Sequence, residues 1–281
     1  MTKKNKNSRL FQAFFPIKKP IIYISILGIM LGLRIALGYF SINIGPTVLS
    51  FTWVSLFIAG FIVGPFIGFI FGWITDSVGF LMHPGIYMWE YSIQESIVCL
   101  FVGMTGVVYR YFKENKKSVL YTFIIFEIIF TAMIVTGLVI MIRYFNYSHV
   151  AKNGGDQKWI NSPGVKIFGL VLISAFYLFL NWLVLIMMIK HKGDPRLIML
   201  VSLAIIGSWI LFSWIEGPWA YVRYYERKYG ISPKSFKTYG YKFYSISRIL
   251  KSLFSVPFEI TITIPVVKAF LVFSKRSEYY H

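Results

Sequence analysis

Acid is scarce in this chain: 11 aspartates and glutamates stand against 29 lysines and arginines, and charge of both signs makes up only 14% of the sequence. Soluble domains carry about 25% charged residues, so this scarcity excludes an ordinary water-soluble globule. The few acids are scattered and form no recognisable nucleophile–base pair. A single cysteine, Cys99, lies inside an apolar run, which excludes a disulfide framework and a thiolate metal site. Four histidines without clustering argue against haem or a dinuclear metal centre. The phosphate-cradling pattern G-x-x-x-x-G-K-[ST] is missing, as are H-E-x-x-H and the G-x-S-x-G elbow. The expectation is a protein that binds without catalysing and holds no cofactor or metal. Any uphill work must then draw on another subunit or an ion gradient.

What the chain has in excess is hydrophobic residues, 57% of the total, against roughly 45–50% in soluble domains. A membrane span needs about 20 apolar residues, and the apolar runs predict helices over 20–42, 48–63, 65–83, 92–112, 118–144, 164–190, 196–222 and 246–272. The fold class is therefore all-α: a polytopic membrane helix bundle of about eight transmembrane helices, in a single integral membrane domain, 1–281. The first run is too long for a signal-peptide core and carries Arg34, so it reads as a retained helix. Gly64-Pro65 separates the second and third helices, since proline suits a helix's first turn and not its interior.

A net charge of +18 would suggest nucleic acid in a soluble domain. Here the basic clusters flank apolar runs, so membrane topology explains them and no nucleic-acid partner is expected; membrane lipids are. The N-terminal segment 1–19, 110–117, 190–196 and Lys275-Arg276 are basic, while 43–47 and 84–91 carry no lysine or arginine. The positive-inside rule then places both termini in the cytoplasm of a cell-membrane protein. Segment 223–245 breaks the pattern, being basic yet predicted outside; a charged funnel that draws in an anion is one use for it.

Gly60, Gly64, Gly68 and Gly72 recur every fourth residue and Asp76 continues the series. Small residues at that interval let helices approach closely in lipid, and an intramembrane acid faces a cavity or a partner by default. The predicted topology brings the candidate site residues Arg34, Trp53, Asp76, Tyr87, Trp89, Glu90, Glu216, Arg248 and Lys251, together with Glu95, Trp219 and Tyr221, to similar depth in the outer half of the membrane. Polar anchors in an aromatic lining are what a ligand pocket needs. Plainer readings stand beside this one. Asp76 and Arg34 can form a structural ion pair, the aromatics an interfacial belt, and Glu90 and Glu95 solvated acids at a helix start. Glu127 and Glu259 fall near mid-helix.

At 33–42 (LRIALGYFSI) and 59–88 (AGFIVGPFIGFIFGWITDSVGFLMHPGIYM) the chain resembles the substrate-binding S components of energy-coupling factor (ECF) vitamin transporters, and is closest to the folate group. The shared features are the glycine-stepped Gly64-Pro65 turn, an aspartate closing the third helix, and an outer loop with proline, glycine and tyrosine. A second patch, SRILKSLFSVPFEI at 247–260, is similar to that family's last helix. The resemblance implies a six-helix core capturing a vitamin from outside, with 118–190 as an inserted helical hairpin. It implies as partners a shared transmembrane coupling subunit and two ATPase subunits, met through a small-residue stripe represented by Gly28, Gly32 and Ala36; Gly64, Gly68 and Gly72 are further candidates for that interface. Riboflavin or thiamine is the alternative ligand. From other classes, a membrane-embedded lipid-modifying enzyme and a structural subunit with paired buried charges are the rivals.

Overall fold

The computed structural model describes residues 11–17, 19–40, 42–44, 47–82, 85–112, 118–143, 163–190, 194–233, 237 and 241–279. Its helices are α1 (Pro20–Tyr39), α2 (Trp53–Val63), α3 (Pro65–Met82), α4 (Trp89–Phe112), α5 (Ser118–Arg143), α6 (Pro163–Ile189), α7 (Pro195–Ser208), α8 (Gly217–Tyr229) and α9 (Tyr241–Tyr279). A π-helical stretch, Trp209–Glu216, joins α7 to α8 without a break. Seven of the resulting rods are long and apolar enough to cross a bilayer. The chain is a multi-pass helical membrane protein.

Proline and glycine punctuate these elements as their chemistry requires. Prolines open α1, α3, α6 and α7, where the missing N–H lies among groups that have no intrahelical partner anyway. Asp194 caps α7 by accepting from the Arg196 N–H at 3.2 Å. Gly64 between α2 and α3 has φ +94°, a conformation that a side chain would strain.

Two departures from the sequence expectation matter for the site. The second helix was predicted from 48; instead β1 (Ile42–Ile44) and β2 (Thr47–Leu49) pair antiparallel, with Ile42 opposite Leu49, and α2 begins only at Trp53. At about 1.5 Å per residue α2 is half the length of a span. It is a core helix, with Val54 through Val63 all buried. The basic loop expected over 223–245 is mostly helix: α8 runs to Tyr229, where Gly230 ends it at φ +69°, and α9 starts at Tyr241. Three of its charges have partners as well: Arg223 lies 4.9 Å from the Trp219 ring, Lys228 5.3 Å from that of Tyr229, and Arg227 pairs with Glu90. Most of 1–19 and the polar stretch 145–162 lie outside the described residues.

The core is built around α4, which packs most extensively on α3 and α2. A Cβ at Gly60 would lie 2.6 Å from the Cys99 carbonyl, and one at Gly72 would lie 2.5 Å from the Glu95 carbonyl. In return, Gly103 lies against Pro65 and Gly106 against Phe61. Backbones in such contact gain dispersion energy in lipid, where burial of apolar surface gives no drive. At the opposite end of α4 from the site, Arg110 donates to the Ala13 and Phe61 carbonyls at 2.8 and 2.6 Å, and Tyr109 donates to Asp194 at 2.9 Å.

Candidate binding site

The glycine ladder sets up the site and is not itself exposed. Gly64, Gly68 and Gly72 were candidates for a partner interface; all three face neighbours within the chain, Gly64 against Phe14 and the other two against α4. The ladder also spans two helices, since Gly64 separates α2 from α3. Its effect is to press the end of α3 onto the start of α4. Thr75 and Asp76 in α3 thereby meet Ser92 and Glu95 in α4.

Glu95 is the centre of a first polar network. Its Oε1 forms a short ion pair with Arg34 from α1, and its Oε2 accepts from Thr75 at 3.1 Å. Asp76 accepts a short hydrogen bond from Ser92, whose hydroxyl also bonds the Tyr87 hydroxyl at 2.6 Å. Arg34 therefore takes Glu95 as its direct partner; the ion pair with Asp76 envisaged from the sequence is replaced, although Asp76 stays within electrostatic reach of that guanidinium. Glu95 and Glu90 are not solvated acids at a helix start, because both are buried. The cause is position: the first turns of α4 lie beneath α1, α3 and α8. Among the described residues of this network Arg34 carries the only positive charge beside two carboxyl groups, and its Nη1 is buried with no acceptor among them.

A second group gathers where α4, the π stretch, α8 and α9 meet. Glu90 receives a two-pronged bond from Arg227 at 2.8 and 3.2 Å. Arg248 lies within electrostatic reach of Tyr91 and Glu216. A Cβ at Gly217 would stand 2.3 Å from the Arg248 Nη1, so a side chain there would move that guanidinium from its place. Glu216 Oε2 is buried and has no donor among the described residues. Gln94 donates to the Phe212 carbonyl at 3.1 Å, satisfying a backbone group in the π stretch.

A third, aromatic group adjoins these. Trp53 at the head of α2 lies 5.1 Å from Trp209, ring to ring. Trp209 donates its indole N–H to Glu259 at 2.6 Å, and Lys251 sits 5.8 Å over the same ring. Phe51 and Phe258 add a further pair at 4.2 Å. Glu259 lies about one turn into the apolar stretch Ser255–Phe273, nearer its start than its middle.

Eight of the nine predicted site residues thus belong to these three groups. Trp89 does not: it stands 49% exposed and takes part in none of their contacts. Sequence reasoning assigned no site role to Thr75, Tyr91, Ser92 or Trp209, placed Arg227 only in a basic loop, and set Glu95 among the converging polar groups with a solvated acid as the plainer reading. A signal for some of these was present. Ser92, Glu95, Cys99, Gly103 and Gly106 repeat at intervals of three and four, which marks the small and polar face of α4. For Arg227 the signal was the anomalous positive charge of its segment.

No protein-family model matches the chain, and no solved structure matches it. Similar sequences exist in mycoplasmas. The chain is 23% identical over 250 residues to the "Uncharacterized protein MG313 homolog" of Mycoplasma pneumoniae, covering 85% of this chain and 86% of that one. It is 19% identical over 248 residues to the "Uncharacterized protein MG313" of Mycoplasma genitalium, with the same shares covered. The chain is a distant homologue of these proteins, with the similarity running across most of each.

Proposed function

We propose that this protein is the membrane-embedded substrate-capture subunit of an ECF-type importer, taking up a vitamin with a flat heterocycle, folate first among them. The observation that carries the reading is the convergence of α1, α3, α4, α8 and α9 on buried polar groups; among the described residues Arg34 Nη1, Glu216 Oε2 and Glu259 Oε1 find no hydrogen-bond partner. The first is a donor and the other two are carboxyl oxygens. A heterocycle that both accepts and donates satisfies such groups, with Trp53 and Trp209 offering flat surface nearby. The segments resembling S components, 33–42, 59–88 and 247–260, fall on the elements that hold these groups.

In this reading the protein binds and does not catalyse, the site opens to the exterior, and both termini are cytoplasmic. A transmembrane coupling subunit and two ATPase subunits supply the transport step. Their docking face is the α1 stripe of Gly28, Gly32 and Ala36. A side chain added at either glycine would meet nothing within 4 Å, and Ala36 is exposed.

Mass spectrometry of small molecules released from detergent-purified protein tests the ligand. A pterin supports the proposal as stated. Riboflavin or thiamine keeps the importer and changes its cargo, whereas protein that retains and binds no vitamin overturns it.

A further inference from the structure

The hairpin α5–α6 contributes none of the ligand-site residues, yet it carries polar groups at an unusual place. Glu127 lies midway along the apolar stretch Val119–Thr136, and Tyr177 and Asn181 lie near the middle of Ile167–Ile189. Glu127 Oε2 is reached by the Tyr177 hydroxyl and the Asn181 amide only at 3.4 Å each, and Thr131 bonds Tyr177 at 2.9 Å. Glu127 Oε1 and Asn181 Oδ1 have no hydrogen-bond partner among the described residues. Two acceptors are therefore unsatisfied at the centre of a membrane span, where lipid tails offer no donor.

The same residues line a groove of about 760 Å³ on the hairpin's surface, walled by Phe123, Leu178, Phe179 and Trp182. Trp182 is 62% exposed and Phe179 54%. Among the described residues of the lining Glu127 is the only ionisable group. An occupant must be apolar along its length and must bring a hydrogen-bond donor to mid-depth. A phospholipid cannot do this, since its head group lies about 15 Å away at the edge of the hydrocarbon core.

We infer that the α5–α6 groove is the docking surface for a transmembrane helix of a different membrane protein, one that presents arginine, lysine or another strong donor to Glu127 and Asn181 at mid-membrane. Hydrogen bonds between helices at that depth add to close packing and select the partner's register. The inference stands independently of the importer reading, because a partner helix of this chemistry fits whatever the chain's ligand is.

The test uses the full chain, reconstituted in phosphatidylcholine vesicles, with benzoylphenylalanine in place of Leu185 on the groove wall. Two synthetic leucine–alanine helices are added in turn, identical except for arginine or leucine at the central position. On irradiation the arginine helix should crosslink about five-fold more than the leucine helix, in keeping with a single intramembrane hydrogen-bonding contact. Glu127→Gln and Asn181→Leu should each narrow that ratio, with helical content monitored by circular dichroism. Equal yields for the two helices, or crosslinking only to lipid or to a second copy of the chain, would overturn the inference. The comparison of helices on the unsubstituted Glu127–Asn181 pair holds even if a variant misfolds, and ligand release has no bearing on it.

Discussion

Arg34 reaches from α1 across to Glu95 in α4, and the carboxylate it meets is held from the other side by the Thr75 hydroxyl of α3. Three helices are thereby tied through one buried acid. Removing a single partner from a buried ion pair costs about 3–5 kcal/mol because the other charge is left uncompensated. Glu95→Gln should therefore lower the thermal unfolding midpoint of the detergent-purified protein sharply. Asp76→Asn should do so much less, since its Ser92 bond survives in part. A double variant, Arg34→Met with Glu95→Met, should recover much of the loss. Equal damage from Glu95→Gln and Asp76→Asn would contradict the assignment of the pair.

The glycines divide into two kinds. Gly60→Ala and Gly72→Ala push a methyl into the backbone of α4, and overpacking of this sort costs about 1–3 kcal/mol. Gly28→Ala and Gly32→Ala meet open space, so they should leave the isolated protein unharmed or raise its stability by up to about 1 kcal/mol through helix propensity. If the α1 stripe docks a coupling subunit, those same two changes should reduce co-purification of the ATPase subunits. A Gly28→Ala protein that is destabilised alone would show that the stripe is packed internally.

Arg227 compensates Glu90, whose side chain is only 1% exposed, while its own is 36% exposed. Solvent screening at the arginine moderates the effect, and Arg227→Ala should cost about 2 kcal/mol. Raising the salt concentration should weaken the wild-type protein slightly and Arg227→Ala less. Chemical denaturation at two ionic strengths would measure both effects. An identical salt response in the two proteins would remove the pair from the account.

Trp209 serves two contacts that a single substitution separates. Trp209→Phe keeps an aromatic surface for Trp53 but deletes the N–H that Glu259 accepts. A buried acceptor left without its donor costs about 1–3 kcal/mol. That loss should be relieved when Glu259→Leu is added to Trp209→Phe. Thermal unfolding of the four proteins in the double-mutant cycle reads the coupling directly, and additive losses would mean that the bond contributes nothing.

The long apolar stretches, the Gly64-Pro65 break and the helical class could be read directly from the chain, because span length and local backbone chemistry are properties of neighbouring residues. The small and polar face of α4 was legible for the same reason: its residues recur at helical spacing. Other features depended on contacts between residues far apart in sequence. Whether Arg34 meets Glu95 or Asp76 is decided by how far the glycines let α3 approach α4, and Arg227 meets Glu90 only because α8 continues past the span expected for it. Composition could not show that α2 is a half-length core helix, because a buried helix and a lipid-facing one are equally apolar. Sequence determined that the protein lives in the membrane and which residues carry charge there. Tertiary packing decided which of those charges neutralise each other and which polar atoms remain unsatisfied, since in a low-dielectric interior a shift of a few ångströms separates a paired charge from an isolated one.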